Sequence, residues 1–240
     1  MFNDYFATIG EKLAVQIDTL ESTTIMQEMA SSIFLVPVSN FDILKLIDGL
    51  KSTDGWSRDK ATNQVLKACK VPLSPYIAEL INLSIQTAKV PNALKIAKII
   101  PVFKSGSQYD INNYRPISIL PAISKILEKV VCHQVMKFLE TNNFFYAKQY
   151  GFRKGIGVES AVLDMVIKLE RALDRNMCAA GLFLDLSKAF DTVDHKILLD
   201  KLYSAGIRGL CHDWFVSYLS HRMQYTHVNG LDSQLKSVTT

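Results

Sequence analysis
The densest set of chemically capable side chains lies in AAGLFLDLSKAFDTVDHK, residues 179–196, where Asp185 is followed by Asp191, Asp194 and His195. Residues 178–184 are apolar and read as a short buried strand. A period of two then turns Leu182 and Leu184 to one face, and Phe183 and Asp185 to the other. A carboxylate raised at a strand end suits a hard divalent cation, which takes oxygen ligands. Asp191 with Asp194 and His195 has the three- and four-residue spacing that faces side chains together on a following helix. Two readings stay open for that group: part of an acid–imidazole cluster, or a helix cap with a local hydrogen bond. The residues around Asp185 leave metal ligand and plain surface carboxylate open as well.

Cys69, Cys132, Cys178 and Cys211 form no CxxC pair, which argues against a zinc site. Cys132-His133 and Cys211-His212 are adjacent pairs, and neighbours on a helix point about 100° apart, a poor geometry for chelation. The four read as free thiols of a reducing compartment. The chain has 240 residues, long enough for one large domain that buries roughly 70% of its unfolded surface. With 48% hydrophobic and 21% charged residues it is excluded from the disordered class. Mean hydropathy is +0.11, yet no run reaches the roughly 18 uncharged apolar residues of a membrane helix. The start, MFNDYFATIGEKLA, carries Asp4 and Glu11 where a signal peptide has a basic end and an apolar core. An intracellular chain that neither spans a membrane nor is secreted is expected.

Charge is unevenly placed. Residues 89–154 hold nine Lys and two Arg against Asp110, Glu128 and Glu140, a net of +8 in a chain whose total is +4. The remainder therefore carries −4. Such a segment fits a polyanion partner, nucleic acid or nucleotide, and equally a solvated lysine-rich face.

The elements that must position these groups follow from periodicity. Residues 1–35 read as helical, with Phe6, Ile9, Leu13 and Ile17 in a stripe. FDILKLIDGLKS reads as a helix capped by Asn40 and ended near Gly49. A polar loop over 52–60 follows. Residues 77–88 read as a further helix, broken at Val90-Pro91. AKIIPVF, residues 97–103, reads as a strand leading into a loop, KSGSQYDINNYRP. Amphipathic helices are expected over ISKILEKVVCHQVMKFLE, with its stop at Asn142-Asn143, and over about 159–173. HKILLDKLYSAG, with Gly206 as its C-terminal stop, and HDWFVSYLS read as helices. The end of the chain reads as a hairpin about Asn229-Gly230. The fold class is α+β.

FLDLSKAFDTVDH resembles the first palm motif of reverse transcriptases of non-LTR retrotransposons, the LINE-like, jockey-type elements. NNYRPISILPAISKILEKVV at 112–131 is similar to the family's fingers motif, and QYGFRKGIGVESAVLDMV at 149–166 to the template-proximal motif after it. VPNALKIAKIIPVFKSGS at 90–107 resembles the segment before the fingers motif. FNDYFATIGEKLA resembles the stretch that links an upstream endonuclease to the polymerase, and MQYTHVNG with LKSVTT the hairpin before the Gln-Gly motif.

The resemblance implies a right-hand polymerase fold: a helical extension or linker at 1–35, fingers at 36–175 and part of the palm at 176–240. It implies RNA-templated DNA synthesis from dNTPs by two-metal phosphoryl transfer, with an RNA template, a DNA primer and Mg²⁺ or Mn²⁺ as partners. Asp185 is the implied catalytic metal ligand, with the Leu186 carbonyl completing a shell. Phe190 stands at the position of the gate against a 2′-hydroxyl, and ordinary core packing is compatible with it. Lys104 and Arg115 are the implied triphosphate clamp, a compact charge and a planar fork. Gln149, Gly151, Phe152 and Arg153 would lie near the template, and Lys125 and Lys129 are candidate backbone contacts or, equally, solvated surface residues. A ribonucleoprotein in nucleus or cytoplasm is expected. STDGWSRDK at 52–60 only partly matches the family's Gly-Pro-Asp-Gly loop. The chain stops before the Gln-Gly motif and the Asp-Asp motif that would supply the other metal carboxylates, and no Asp-Asp pair occurs in it. The expectation is therefore a reverse transcriptase fragment that is inactive alone. The alternatives are a catalytically inactive nucleic-acid-binding fragment, a retrotransposon relic, or, least well matched, an unrelated metal enzyme.

Overall fold
The structure, a computed structural model, describes residues 1–14, 28–52, 57, 61–186 and 188–238. The expected stripe position Ile17 and most of the loop at 52–60 lie outside the described residues. The chain divides into two units, Met1–Met136 with Ala189–Thr240, and Lys137–Lys188.

The first unit has helices α1 (Phe2–Ala14), α2 (Asn40–Asp48), α3 (Asn63–Ala68) and α4 (Lys70–Thr87), strands β1 (Ile96–Phe103) and β2 (Tyr114–Ile119), and most of α5 (Ala122–Thr141). α6 (Val158–Asp174) belongs to the second unit. α7 (His195–Ser204), α8 (Leu210–Leu219), β3 (Met223–Val228), β4 (Leu231–Asp232) and β5 (Lys236–Ser237) return to the first.

Three helical expectations need correction. Residues 28–39 are not helical. Val36, Pro37 and Val38 disfavour a helix, and side-chain amides stand in for a partner strand. Val36 N donates to Gln134 Oε1 at 2.8 Å and Gln134 Nε2 to Val36 O at 3.0 Å, while Asn82 brackets Val38 at 2.8 and 3.0 Å. The cap of α2 is Ser39 rather than Asn40. Its hydroxyl accepts from Asp42 N and its N–H donates to the Asp42 carboxylate, a reciprocal capping box. α4 begins at Lys70, seven residues before the expected start at Ile77, and contains Pro75. A proline there leaves the Val71 carbonyl without its helical donor, and Ser74 Oγ donates to it at 3.2 Å.

The sheet runs β2-β1-β3-β4, with β5 also on β3. β1 and β2 form an antiparallel hairpin; β2, whose residue types carry no clear strand signal, pairs Tyr114 with Phe103 through Ile119 with Lys98. β3 runs parallel to β1 from Ile96↔Met223 to Ile99↔Thr226. Beyond β2, Lys104 N donates to Asn113 O at 2.8 Å, and alternation from there makes Pro101↔Pro116 a non-hydrogen-bonded pair. The missing N–H of Pro101 would have pointed to the β3 side, and there the parallel ladder stops after Ile99. The expected turn at Asn229-Gly230 has both residues at positive φ, 50° and 81°, as a type I′ hairpin requires. Its return strand pairs Val228↔Leu231 and then Met223↔Ser237, a register change of one residue that is a bulge between β4 and β5. Ser233 bridges it, donating from N to Thr226 O and accepting from Thr226 N at 2.9 Å.

α1 covers one face of this sheet. Phe6 packs with Ala97 and Ile99, and Phe2, Tyr5 and Tyr114 surround them. Asn3 crosses from helix to sheet, accepting from Gln224 Nε2 at 3.2 Å and donating to Gln234 O at 2.8 Å. Asp4 pairs with Lys236 of β5, and that hydrogen bond holds its carboxyl low, at about 2.

A buried ammonium joins the helices to the sheet. Lys95, 3% exposed, donates from Nζ to the carbonyls of Ser217 and Ser220 at 2.9 Å each, at the C-terminus of α8. Burial and the nearby Arg222 charge lower its pKa. Beside it, Trp214 Nε1 donates to Ser84 Oγ at 3.0 Å and stacks on Tyr218 at 5.3 Å. Tyr218 in turn donates to Glu128 of α5 at 2.7 Å. Ile43, Ile47, Ile81, Ile126, Leu127 and Ile207 complete the buried core.

The second unit holds the end of α5, α6 and the segment to Lys188. Asn143, at φ 53°, ends α5 where Asn142-Asn143 was expected to. α6 matches its expected span closely but buries no residue. The strand expected over 178–184 is absent: residues 178–186 have no regular structure and pair with no strand among the described residues. Leu182 and Leu184 are 85% and 84% exposed. An apolar run specifies a face to bury, but a strand also needs partners for its N–H and C=O groups, and here it has none.

Two outcomes follow for the fold. Lys95→Met should lower unfolding stability in urea by about 1–3 kcal/mol, because two carbonyls lose their donor while the apolar packing is kept. Alkylation of the native protein should modify the exposed Cys69, Cys132 and Cys178 and spare Cys211 until denaturant is added, since burial pushes that thiol up to about 12. Mass spectrometry of the modified chain reads this directly.

Candidate active site
The β1–β2 hairpin presents two different faces. By the period of two, Ala97, Ile99 and Phe103 lie under α1, with Tyr114 across the register. Ile100 and Val102 of β1 face away from α1, and across the ladder Arg115 stands opposite Val102 and Ile117 opposite Ile100. Lys104 continues this alternation through its bond to Asn113 O and so falls on the same side as Arg115. The two cations are diagonal neighbours across the hairpin, a spacing of about 7–8 Å in antiparallel sheets. Both are exposed, as are Val102 and Ile117 between and beside them. The family resemblance singled out the two cations but not this apolar floor.

Phe190 also belongs to the first unit, in the turn ahead of α7, and its ring is largely exposed rather than part of the core. The capping alternative holds for Asp194, whose carboxylate accepts from Ile197 N at 2.9 Å at the start of α7. Asp191 lies in the preceding turn, so the expected sharing of one helix face does not occur. Asp191, Asp194 and His195 do line a common cavity of about 490 Å³, with Glu11 of α1 and His221. His195 has its pKa lowered, first by burial and then by Arg222, with Asp194 opposing.

In the second unit, Gln149, Gly151, Phe152 and Arg153 share the turn-rich segment between α5 and α6. Gln149 N donates to Tyr146 O at 2.9 Å. Phe152 is exposed and has φ 60°, a left-handed conformation costly for an aromatic residue. Arg153 lies over the Phe145 ring at 5.3 Å, and its buried Nε has no hydrogen-bond partner. A Cβ on Gly151 would meet nothing within 4 Å, so packing inside the chain does not require glycine there. Nearby, Lys148 and Lys168 both bind the Asp164 carboxylate, at 2.7 and 2.8 Å, and hold its pKa low.

Asp185 and Leu186 lie in the exposed, irregular segment of the same unit. Among the described residues no three His, Cys, Asp or Glu side chains gather as a cation site. One exposed carboxylate and one carbonyl do not fit a pair of divalent ions, each of which needs an oxygen shell of six or so ligands. No helix of the described residues is long and apolar enough to cross a membrane.

A family profile described as Reverse transcriptase (RNA-dependent DNA polymerase) matches residues 102–238, more than half of the chain. The RNA-directed DNA polymerase from mobile element jockey of Drosophila melanogaster is 29% identical over 233 residues, 95% of this chain and 24% of the relative. Its counterpart in Drosophila funebris is 29% identical over 169 residues, 70% of this chain and 18% of the relative. The probable RNA-directed DNA polymerase from transposon BS of Drosophila melanogaster is 27% identical over 198 residues, 82% and 21%. The chain thus spans about a fifth of the length of these curated relatives. The matched span runs from the hairpin that carries Arg115 to the return strand after Asn229-Gly230, and its polymerase relatives are retrotransposon proteins. The chain belongs to the reverse transcriptase (RNA-dependent DNA polymerase) family, in the branch carried by non-LTR, LINE-like retrotransposons.

Proposed function
We propose that residues 36–175 serve as the fingers and residues 176–240 as part of the palm of a retrotransposon polymerase that copies RNA into DNA from dNTPs. The single observation that carries this is the pairing of Lys104 with Arg115 on the open face of the β1–β2 hairpin, opposite α1. Two exposed cations one diagonal apart match adjacent phosphates of a triphosphate. Arg115 supplies the bidentate fork and Lys104 the point charge, and Val102 and Ile117 give an apolar seat beside them. The template passes the 149–153 turn of the second unit. There the open space at Gly151 admits a nucleic-acid backbone, and the Arg153 guanidinium, whose buried Nε has no hydrogen-bond partner, supplies charge for a phosphate. Phe190, exposed and flat, discriminates against a ribose 2′-hydroxyl.

Asp185, with the Leu186 carbonyl, would contribute one ligand set toward Mg²⁺, or Mn²⁺. That ion would supply charge for the transferred phosphate. Within the parent protein, an upstream endonuclease and an intracellular ribonucleoprotein in nucleus or cytoplasm complete the picture. Alone, the chain binds nucleic acid without synthesising it, because among the described residues no group of metal-binding side chains gathers around Asp185.

Binding to single-stranded RNA should weaken linearly in a plot of log affinity against log salt. Replacing Lys104 and Arg115 together by alanine should make that slope shallower by about 0.7–0.9 for each phosphate that is no longer neutralised, read by fluorescence anisotropy. Salt-independent binding by the unmodified chain overturns the electrostatic interface. The purified chain should yield no Mg²⁺-dependent primer extension on an RNA template. Product that disappears in Asp185→Asn would show that the chain assembles a complete metal site after all.

A further inference from the structure
We infer that Tyr109, at the tip of the β1–β2 connection, is a stacking platform for an unpaired base of single-stranded nucleic acid. The inference rests on the reading above that this hairpin works against nucleic acid, and it assigns a residue and a mode of binding that the reading does not contain. Tyr109 is 98% exposed, so its ring is almost bare of neighbours within the chain. Exposure of a large aromatic on a loose loop would be unremarkable, but this loop is closely tied. Tyr109 N donates to Ser107 Oγ at 3.3 Å, and Tyr114 Oη donates to the Gln108 carbonyl at 2.9 Å. Asp110 N reaches Ser107 O at 3.2 Å, Asn113 Nδ2 reaches Ser107 O at 2.9 Å, and Asn112 N reaches Asp110 Oδ1 at 2.9 Å. Gly106, at φ 92°, lies so close to Asn113 that a Cβ would come within 2.7 Å of its Nδ2.

The backbone on both sides of Tyr109 is therefore fixed, and only the ring is left without a partner. Pinning the loop in advance removes most of the ordering cost of binding at its tip. The chemistry around the ring selects the ligand. Lys104 and Arg115 stand at the two roots of the loop, and the one acid within it, Asp110, is occupied by the N–H and side-chain amide of Asn112. Cations that track phosphates, combined with an aromatic that offers a π face, hold single strands with little regard for base identity. A base-paired duplex hides its base faces, so the ligand is an unpaired stretch. RNA and DNA share the face that is used.

The test is equilibrium binding of labelled single-stranded oligonucleotides to the full chain, measured by anisotropy. Tyr109→Ala should weaken binding to RNA by about 5- to 100-fold, the usual effect of removing one stacked base, and DNA of the same base order should be weakened as much. Tyr109→Phe, which keeps the π face, should bind within about twofold of the unmodified chain. An abasic oligonucleotide of the same length should bind the unmodified chain and Tyr109→Ala equally. Because the ring has no partners in the fold, the melting temperature should not move in either variant. Unchanged binding by Tyr109→Ala, the same weakening on abasic strands, or a weakening in Tyr109→Phe as large as in Tyr109→Ala would each overturn stacking while leaving the nucleic-acid reading intact. Absence of salt-sensitive binding by the unmodified chain would overturn both.

Discussion
The Lys95 ammonium against the last carbonyls of α8 is the interaction on which the remaining geometry depends. β1 and β3 are parallel, so no tight turn sets their register, and more than a hundred residues separate them. Lys95 immediately precedes Ile96, and Ser220 lies three residues before Met223; Ile96 and Met223 are the first pair of the ladder. One side chain thus fixes where the two strands begin together. It does so at a place where helix carbonyls lack intrahelical donors and the helix dipole favours a positive charge. The same point gathers α4 and α5, because Ser217 accepts from Val90 N and Trp214 and Tyr218 reach Ser84 and Glu128.

Register then decides which groups share a face. With Ile96 set against Met223, the alternation along β1 puts Ala97 and Ile99 toward α1, beside Gln224 and Thr226 of β3. Val102 and the residues opposite it in β2 are turned outward. A slip of one residue would exchange these sets and place Arg115 beneath an aromatic helix. The two cations of the hairpin, Lys104 and Arg115, are therefore positioned through a lysine that lies outside the hairpin.

Local patterns were readable where a segment satisfies its own backbone. α5, α6 and α7 carry apolar stripes and polar stops, and Asn229-Gly230 names its own turn. Elements whose partners lie far along the chain were not readable. Residues up to about 35 read as helical by spacing, but Met29 and Ile33 donate to the Ser204 and Gly206 carbonyls, and Val36 and Val38 bond to Gln134 and Asn82. β2 hides inside a loop-like sequence because its pairing partner, not its residue types, makes it a strand. Residues 178–186 show the opposite failure, an apolar run with no strand to pair against among the described residues. For the site, the family resemblance pointed to Lys104 and Arg115, while the face they share needed the register. The Asp194 cap was legible as one of two alternatives. The buried lysine left no trace, since its acceptors are backbone carbonyls 122 and 125 residues onward.

The facing prolines of the hairpin have a consequence for how the molecule meets its own copies. In the alternation set at Lys104, the N–H that Pro116 lacks would have pointed outward from β2, at the middle of the sheet's free edge. An incoming strand would find a gap in the row of donors it needs to zip along that edge. The hairpin is thus kept from serving as a seed for sheet growth, although Val102 and Ile117 of its outer face stay exposed. A blade of this kind can remain uncovered in solution without polymerising through its rim.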